Sequence, residues 1–458
     1  MRTVKSSLIA SAVVLAALAV PATTSAAPFR DPPNPPEANV TAMSGHGELA
    51  VIHTRQLYLV GGPVTGVKYV GFGNNPNDPQ WSHDGRWLSV VVTPPPYKAH
   101  PFRERPSQVW IVTPRGRPVL LAGPTDVDTY DVSVAWSPAA DRLAISYTTH
   151  GQPAARNRVH LDLVTLPARG SQVFAVQRTP LLSAAEISGF AWSPNGLQIA
   201  VGSDRFGGTP GVWRSKLVAI DAESFFRHTI TTATGNVLEV AGWWPDGSGV
   251  LTWLDHQGSA SLAADGLPLY DITVANGHRR KLASSMLQYS QWLATSAVRD
   301  EVAFIAGGDR DVTLGHKHLV VCDRRECHVQ SQGRGQVSFD PAWSAEGTLA
   351  FVRDQAIDPN QGCCGLAYVN KIQESGGVLV LPHGRAPHAA QAGDAASAPT
   401  WGSDGSMLVV KNEALWLLPP GLQQATKVVD GLQVLPDSNY YGNVAWHDSF
   451  AWTDAVAG

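Results

Sequence analysis

The sequence predicts an all-β chain of repeated four-stranded antiparallel sheets, and three observations carry that prediction. The first is a tryptophan-centred repeat: PQWSHDGRWLSVVV around Trp81, VAWSPAADRLAISY around Trp136 and FAWSPNGLQIAVGS around Trp192, with related copies at Trp244, Trp292, Trp343, Trp401 and Trp446. The eight anchors recur every ~52 residues, a period that marks solenoids, propellers and arrays. The second is composition: 43 Gly and 33 Pro among 458 residues supply turn chemistry for many short strands rather than long helices. The third is the pattern inside each copy. A strongly apolar run (Trp87–Val92, Leu143–Tyr147, Leu197–Val201) precedes an alternating one (Gln108–Thr113, His160–Leu166, Leu415–Pro419), as a fully buried strand and a half-buried strand do.

Each copy therefore reads as four strands. A short strand ends at the Trp. A turn of the Ser-Pro-Asp-Gly kind follows, in which Pro presets φ and Gly takes the left-handed position. The apolar strand, a variable loop, the alternating strand and a weaker fourth strand such as Pro118–Gly123 complete the unit. Four-stranded antiparallel sheets repeated radially make a β-propeller, a form that hides most sheet edges. The last copy stops after Phe450–Asp454, while the N-terminal part supplies ELAVIHT, QLYLVGG and VKYVGF without a Trp turn. The expectation is that both ends share one blade and close the ring, giving eight blades. The Trp292 copy lacks the Gly turn, and a ring without it has seven. The anchor tryptophans are expected to pack between adjacent sheets, where large apolar area matters most.

Upstream of the repeats, Arg2 and Lys5 precede the apolar run Leu8–Val20, and Thr24-Ser25-Ala26 offers small residues before a cleavage after Ala26. This is the pattern of a Sec-type export signal over residues 1–26, and it predicts an extracellular or periplasmic protein. Residues 27–47 include PFRDPPNPPE and read as a Pro-rich, extended linker. Residues 48–458 are then a single propeller domain. No later stretch is long and apolar enough for a membrane helix, so the expectation after signal removal is a monomer with no transmembrane span. The balance of 34 Lys+Arg against 38 Asp+Glu excludes the basic surplus of a nucleic-acid binder. A hydrophobic share of 44% excludes wholesale disorder.

Cys322 and Cys327 bracket a four-residue turn between the strand-like runs HLVV and HVQ, so a hairpin brings them within disulfide reach. Such a bridge fits an exported protein. The adjacent Cys363 and Cys364 leave an intermolecular bond and free thiols open.

Motifs for catalysis are missing: there is no G-x-S-x-G, H-E-x-x-H or phosphate-binding G-x-x-x-x-G-K. Charge placement is more informative. The segments entering the first strands carry Asp78, Asp126, Asp128, Asp131, Glu186, Glu239, Asp340 and Asp394. The loops between second and third strands carry cations, among them Lys98, Arg158, Arg205, Arg214, Lys317 and Arg353. In a propeller these two sets share one face, with the first strands nearest the axis. The expectation is an acidic inner ring within a more basic outer one, a funnel that concentrates a cation or a cationic ligand group. No cofactor and no metal site is assigned beyond such a cation. In the long loop Pro94–Pro106, Tyr97, Phe102, Arg103 and Arg105 are candidate interface anchors.

The W-S-P-D-G signature, in the forms Ser193-Pro194-Asn195-Gly196, Pro245-Asp246-Gly247, Asp84-Gly85 and Asp404-Gly405, resembles the TolB-type propeller repeat. The resemblance covers roughly Glu48 to Asp454 and implies architecture and an exported setting. The family's best-known member is a periplasmic protein of envelope integrity that works by binding other proteins. Similar repeats cap prolyl-oligopeptidase-type peptidases, but with the repeats taking up residues 48–458 the expectation is a propeller without their hydrolase domain. The function expected is a secreted, non-enzymatic propeller that binds or scaffolds a protein or envelope component. The alternative is a hydrolase or lyase, metal-assisted or not, with its site in the central funnel.

Overall fold

A computed structural model of the chain describes residues 34–454 apart from segments 63–65, 73–74, 94–105, 114–117, 123–129, 151–156, 168–175, 207–211, 257–265, 309–316, 357–375 and 434–444. The described residues form eight separate four-stranded antiparallel sheets in a ring, with almost no helix. The chain opens with β1 (Glu48–His53), β2 (Gln56–Gly61) and β3 (Val67–Tyr69). Blade 1 is β4 (Pro76–Trp81), β5 (Leu88–Val92), β6 (Gln108–Val112) and β7 (Pro118–Ala122). Blade 2 is β8 (Tyr130–Trp136), β9 (Arg142–Thr149), β10 (Arg158–Thr165) and β11 (Gln177–Ala184). Blade 3 is β12 (Glu186–Trp192), β13 (Gln198–Phe206), β14 (Trp213–Asp221) and β15 (Arg227–Thr234). Blade 4 is β16 (Val237–Trp243), β17 (Gly249–Asp255), β18 (Leu267–Thr273) and β19 (Arg279–Met286). Blade 5 is β20 (Leu293–Thr295), β21 (Val302–Ala306), β22 (His318–Cys322) and β23 (Cys327–Val329). Blade 6 is β24 (Gln336–Trp343), β25 (Leu349–Gln355), β26 (Gly377–Leu381) and β27 (His388–Ala389). Blade 7 is β28 (Ser397–Trp401), β29 (Met407–Lys411), β30 (Ala414–Leu418) and β31 (Thr426–Val429). The chain ends on β32 (Phe450–Thr453), which pairs with β1 in the order β3-β2-β1-β32 and makes the eighth blade from both ends of the chain.

The Trp292 copy is thus a true blade, and the count is eight. The segment 38–46, assigned to the linker by its composition, packs on the ring. Asn39 N–H donates to the Val428 carbonyl at 2.9 Å, and Met43 is fully buried against blades 7 and 8.

The tryptophan repeat has a hydrogen-bond logic that its spacing alone does not reveal. Six indole Nε1 groups at the ends of first strands donate to a backbone carbonyl of the preceding blade's first strand. Trp136 reaches Gln80, Trp192 reaches Ala135 and Trp243 reaches Ala191, each at 2.9 Å. Trp343 reaches Ala294 at 3.3 Å, Trp401 reaches Ala342 at 3.1 Å, and Trp81 closes the circuit onto Ala451 of β32 at 3.3 Å. In each case the acceptor lies one residue before the repeat position. Register therefore corrects three of the eight anchors. In blade 4 the position is Trp243, which pairs with Val250, rather than Trp244. In blade 8 it is Trp452, whose indole donates to the His46 carbonyl at 2.6 Å, rather than Trp446. In blade 5 it is Thr295, paired with Val302, rather than Trp292. Trp244, Trp292 and Trp446 are buried core residues beside these positions. Alignment on the first Trp of each copy cannot see pairing register, which is what fixes equivalence.

At the seam between blades 4 and 5 the repeat position holds Thr295 and supplies no indole, and an arginine spans the seam. Arg324 lies in the β22–β23 turn, which is closed by the expected Cys322–Cys327 disulfide (Cα–Cα 4.0 Å). Its guanidinium sits 4.3 Å from the centre of the buried Trp244 ring, donates to Asp271 at 2.8 Å and also bonds Asp246 and Ser248 across the seam. Arg280 flanks the same ring at 4.9 Å and donates to the carbonyls of Asp323 and Arg324. Burial pushes the Asp271 carboxyl up, and the charges of Arg324 and Arg280 pull against it. Removing one partner of a buried charge costs 3–5 kcal/mol in full burial. Arg280 remains beside Asp271 and Arg324 is partly exposed, so Arg324→Ala is expected to cost about 2 kcal/mol. A denaturation midpoint unchanged from wild type would show that the seam does not depend on this residue.

Candidate functional site

The face on which the first strands begin also receives the ends of the second strands, so it holds Asp78, Asp131, Glu186 and Asp340 at or near first-strand starts. The first strands of blades 1, 2, 3, 4, 6 and 7 each carry a register shift there, between Asn77/Gln80, Tyr130/Ser133, Ile187/Phe190, Val240/Gly242, Phe339/Ala342 and Ser397/Thr400. Such bulges leave a residue unpaired and re-aim its side chain. Asp78, Asp131 and Asp340 occupy bulges with φ of 48°, 46° and 46°, a left-handed geometry that Asp tolerates better than most residues.

These carboxyls do not all behave alike. Asp131 and Asp394 are exposed. Asp78 accepts two bonds from the Gln80 amide at 2.8 and 2.9 Å, yet burial still raises its carboxyl. Burial pushes Asp340 up to about 7, against the Ala398 N–H at 3.4 Å and the side chain of Trp292. Asp448, in the 3-10 turn before β32, is raised to about 6 by burial and then by the charge of Asp78. Asp126, Asp128, Tyr97, Phe102, Arg103 and Arg105 lie outside the described residues.

The densest group sits at the seam of blades 3 and 4. Here the blades approach closely, because Gly202 has no side chain: a Cβ there would lie 2.3 Å from the Leu238 carbonyl. Ser188 Oγ donates to that carbonyl and the Leu238 N–H donates to Ser215 Oγ, both at 2.9 Å. The approach brings Glu186 and Asp204, paired across β12 and β13, toward Glu239 of β16 and Asp255 of β17. Asp204, Asp255 and Glu239 are only 2%, 4% and 6% exposed. Burial lifts Glu239 to about 8, reinforced by the charges of Asp255, Asp204 and Glu186. Its one side-chain partner among the described residues is the Gln288 amide, which leads toward blade 5. Burial also raises Asp204, and raises Glu186, with Asp204 adding to the effect.

Sequence reasoning named Glu186 and Glu239 but missed Asp204, Asp255 and Asp448. A signal was present. Asp204, Asp255 and Asp354 occupy one repeat position, five residues beyond the partner of the first-strand end in β13, β17 and β25. They close the apolar strands VGSD, TWLD and FVRD, and all three are buried.

Among the described residues, one group brings three ligand atoms within 4.8 Å of one another: His83, Asp84 and Asp141, at the turns on the opposite face. Arg86 pairs with both aspartates there, so a cation already occupies that charge. No helix among the described residues is long and apolar enough to cross a membrane.

No family model matches the sequence, and no curated protein resembles it in sequence. Solved structures resemble it in fold. Porphyromonas gingivalis dipeptidyl peptidase 4 is 8% identical, with 86% of this chain and 59% of that one covered and a TM-score of 0.53. Pyrococcus horikoshii acylaminoacyl peptidase is 11% identical, with 78% and 52% covered and a TM-score of 0.45. The β-propeller domain of the Trilobed protease from Pyrococcus furiosus is 10% identical, with 78% and 95% covered and a TM-score of 0.44. This chain spans about half the length of the acylaminoacyl peptidase. At such identities the likeness is one of propeller architecture, and architecture does not set activity.

Proposed function

We propose that the protein is an exported, non-enzymatic binding propeller of the TolB type that receives a cationic segment of a protein or envelope partner on its acidic face. The observation that carries this reading is the group Glu186, Asp204, Glu239 and Asp255. It gathers four carboxyls at one seam and holds Glu239 at about 8, with no cation among the influences on it. A lysine or arginine side chain entering the seam restores the ionised state and gains the attraction of several carboxylates in a poorly solvated place. The leader-like residues 1–26 and the Cys322–Cys327 bridge support an oxidising, exported setting. The turn signature supports the TolB-type assignment. Ser193 Oγ donates to Asn195 at 2.7 Å and accepts the Gln198 N–H at 2.9 Å, while Gly196 takes φ 67°.

The test is calorimetric titration of a hexalysine peptide at pH 7 in two buffers of different ionisation enthalpy. A group at about 8 is mostly protonated at that pH, so binding is expected to release close to one proton. Glu239→Gln should abolish the release and weaken binding about tenfold, and half-molar salt should weaken it further by screening. Binding of equal strength in the variant, or no proton release in the wild type, refutes the reading.

A further inference from the structure

A second polar feature lies on the same face in blade 6, on residues that the acidic seam does not use. A cavity of about 330 Å³ is lined by Gln336, Arg353, Asp354, Gln355, Gly377 and Leu379. That is the lower end of the range for small-molecule sites, ~300–1,000 Å³. Pairing register assigns the lining to faces. Arg353 pairs with Gly377, Gln336 with Gln355, and Phe351 with Leu379. Side chains two apart along a strand share a face. Arg353, Gln355, Gln336, Gly377, Leu379 and Phe351 therefore belong to one face of the sheet. Asp354 pairs with Val337 on the other, and its carboxylate accepts the Gln355 N–H at 2.6 Å.

The Arg353 guanidinium rests 5.0 Å from the centre of the Phe351 ring, which is fully buried and holds it in place. Its Nε and Nη2 atoms form one edge of the guanidinium fork. Both are shielded from water and neither has a hydrogen-bond partner among the described residues. Arg353 makes no ion pair with any described carboxylate, and burial alone lowers its affinity for the proton. A buried donor left unmade costs about 1–3 kcal/mol, more when charged, so two such donors on one edge mark a place where an acceptor belongs. A guanidinium with donors to spare matches the two oxygens of a carboxylate, which arginine binds in parallel, two-bond geometry. Gln336 already accepts the Gly333 N–H at 2.8 Å through Oε1, which directs its amide nitrogen to donate elsewhere. Leu379 supplies an apolar wall. Gly377 leaves the floor open, since a Cβ added there meets nothing within 4 Å.

We propose that this cavity binds a carboxylate group, with the Arg353 guanidinium as the clamp, the Gln336 amide as a flanking donor and Leu379 as the contact for an apolar substituent. The carboxylate belongs either to a small organic acid or to the C-terminus of a peptide. The site involves blade 6 alone and stands whether or not the acidic seam binds cations.

The test is calorimetric titration of the full chain with three probes: benzoate, the peptide Gly-Gly-Gly-Leu with a free C-terminus, and the same peptide as its C-terminal amide. The expected result is binding of at least one carboxylate probe, with the amide at least tenfold weaker. Benzoate alone binding assigns the site to small acids, and the free peptide alone assigns it to chain ends. Arg353→Ala should weaken the bound probe at least tenfold. Gly377→Leu should do the same by filling the cavity while leaving the unfolding midpoint in place, so the proposal stays testable if the arginine variant folds poorly. Absence of binding by both carboxylate probes, or wild-type affinity in the Gly377→Leu variant, overturns the proposal.

Discussion

Truncation after Ser449, which removes β32, is expected to abolish cooperative folding of the ring. Four interactions are lost together. The ladder Glu48↔Thr453, Leu49↔Trp452, Ala50↔Ala451 and Val51↔Phe450 disappears, leaving β1 as an open edge. Phe450, nearly fully buried in the cluster with Leu49, Val51, Leu408 and Trp446, leaves a cavity. Removing a core Phe side chain alone costs about 3–5 kcal/mol. The Trp452 indole no longer reaches the His46 carbonyl, so the packed segment 38–46 loses one of its ties. The Trp81 indole loses its acceptor Ala451, so blade 1 is released from blade 8 as well. The sum is at least about 5 kcal/mol, which matches the whole stability of many domains. Circular dichroism melting with and without residues 450–458 checks this. A truncated chain that melts as sharply and as high as the full one would mean that closure through the shared blade contributes little. Phe450→Ala in the full chain should fall between the two.

That result concerns a feature fully legible in the sequence. Three N-terminal strands without a Trp turn and one orphan strand at the end could only complete each other. Strand order was legible too, because the apolar runs and Gly turns follow from local rules, whereas the blade number stayed between seven and eight because the Trp292 copy lacks the Gly turn. The seams between blades were not. Whether Trp243 or Trp244 bonds the preceding blade depends on pairing across β16 and β17, and two adjacent tryptophans look alike to any spacing rule. The Arg324 bridge joins residues 53 apart to Asp271 and 78 apart to Asp246, through geometry that no local pattern carries. The candidate site was half legible. Acidic residues before first strands were visible as a class, but Asp131 and Asp394 proved exposed while Glu239 proved buried. What separates them is the close approach of blades 3 and 4 at Gly202, a tertiary fact. The aspartates that complete the group were visible as a repeat position, yet they end apolar strands, where attention falls on the core.

The same approach makes stability depend on pH in an unusual direction. Glu239 is raised from 4.5 to about 8 in the folded chain. A carboxyl raised on folding binds its proton more tightly in the native state. Its contribution is fully present below about pH 4.5 and is lost as pH climbs through 8, because ionising the buried group opposes folding. Asp340 and Glu48, each raised to about 7, and Asp448, raised to about 6, act in the same sense. The protein is therefore expected to be less stable at pH 8.5 than at pH 5, with Glu239 alone supplying a slope of up to about 1.4 kcal/mol per pH unit. Glu239→Gln keeps a hydrogen-bonding amide opposite Gln288 and cannot ionise, so it also relieves the repulsion from Glu186, Asp204 and Asp255. The variant should match wild type at pH 5 and exceed it at pH 8.5 by a few kcal/mol, on the order of 3. Denaturant midpoints at the two pH values measure this directly. If the two proteins differ equally at both, the carboxyl is already ionised at pH 5. Binding at the seam then has no proton to release, and the reading of the seam as a place that captures a cation fails with it.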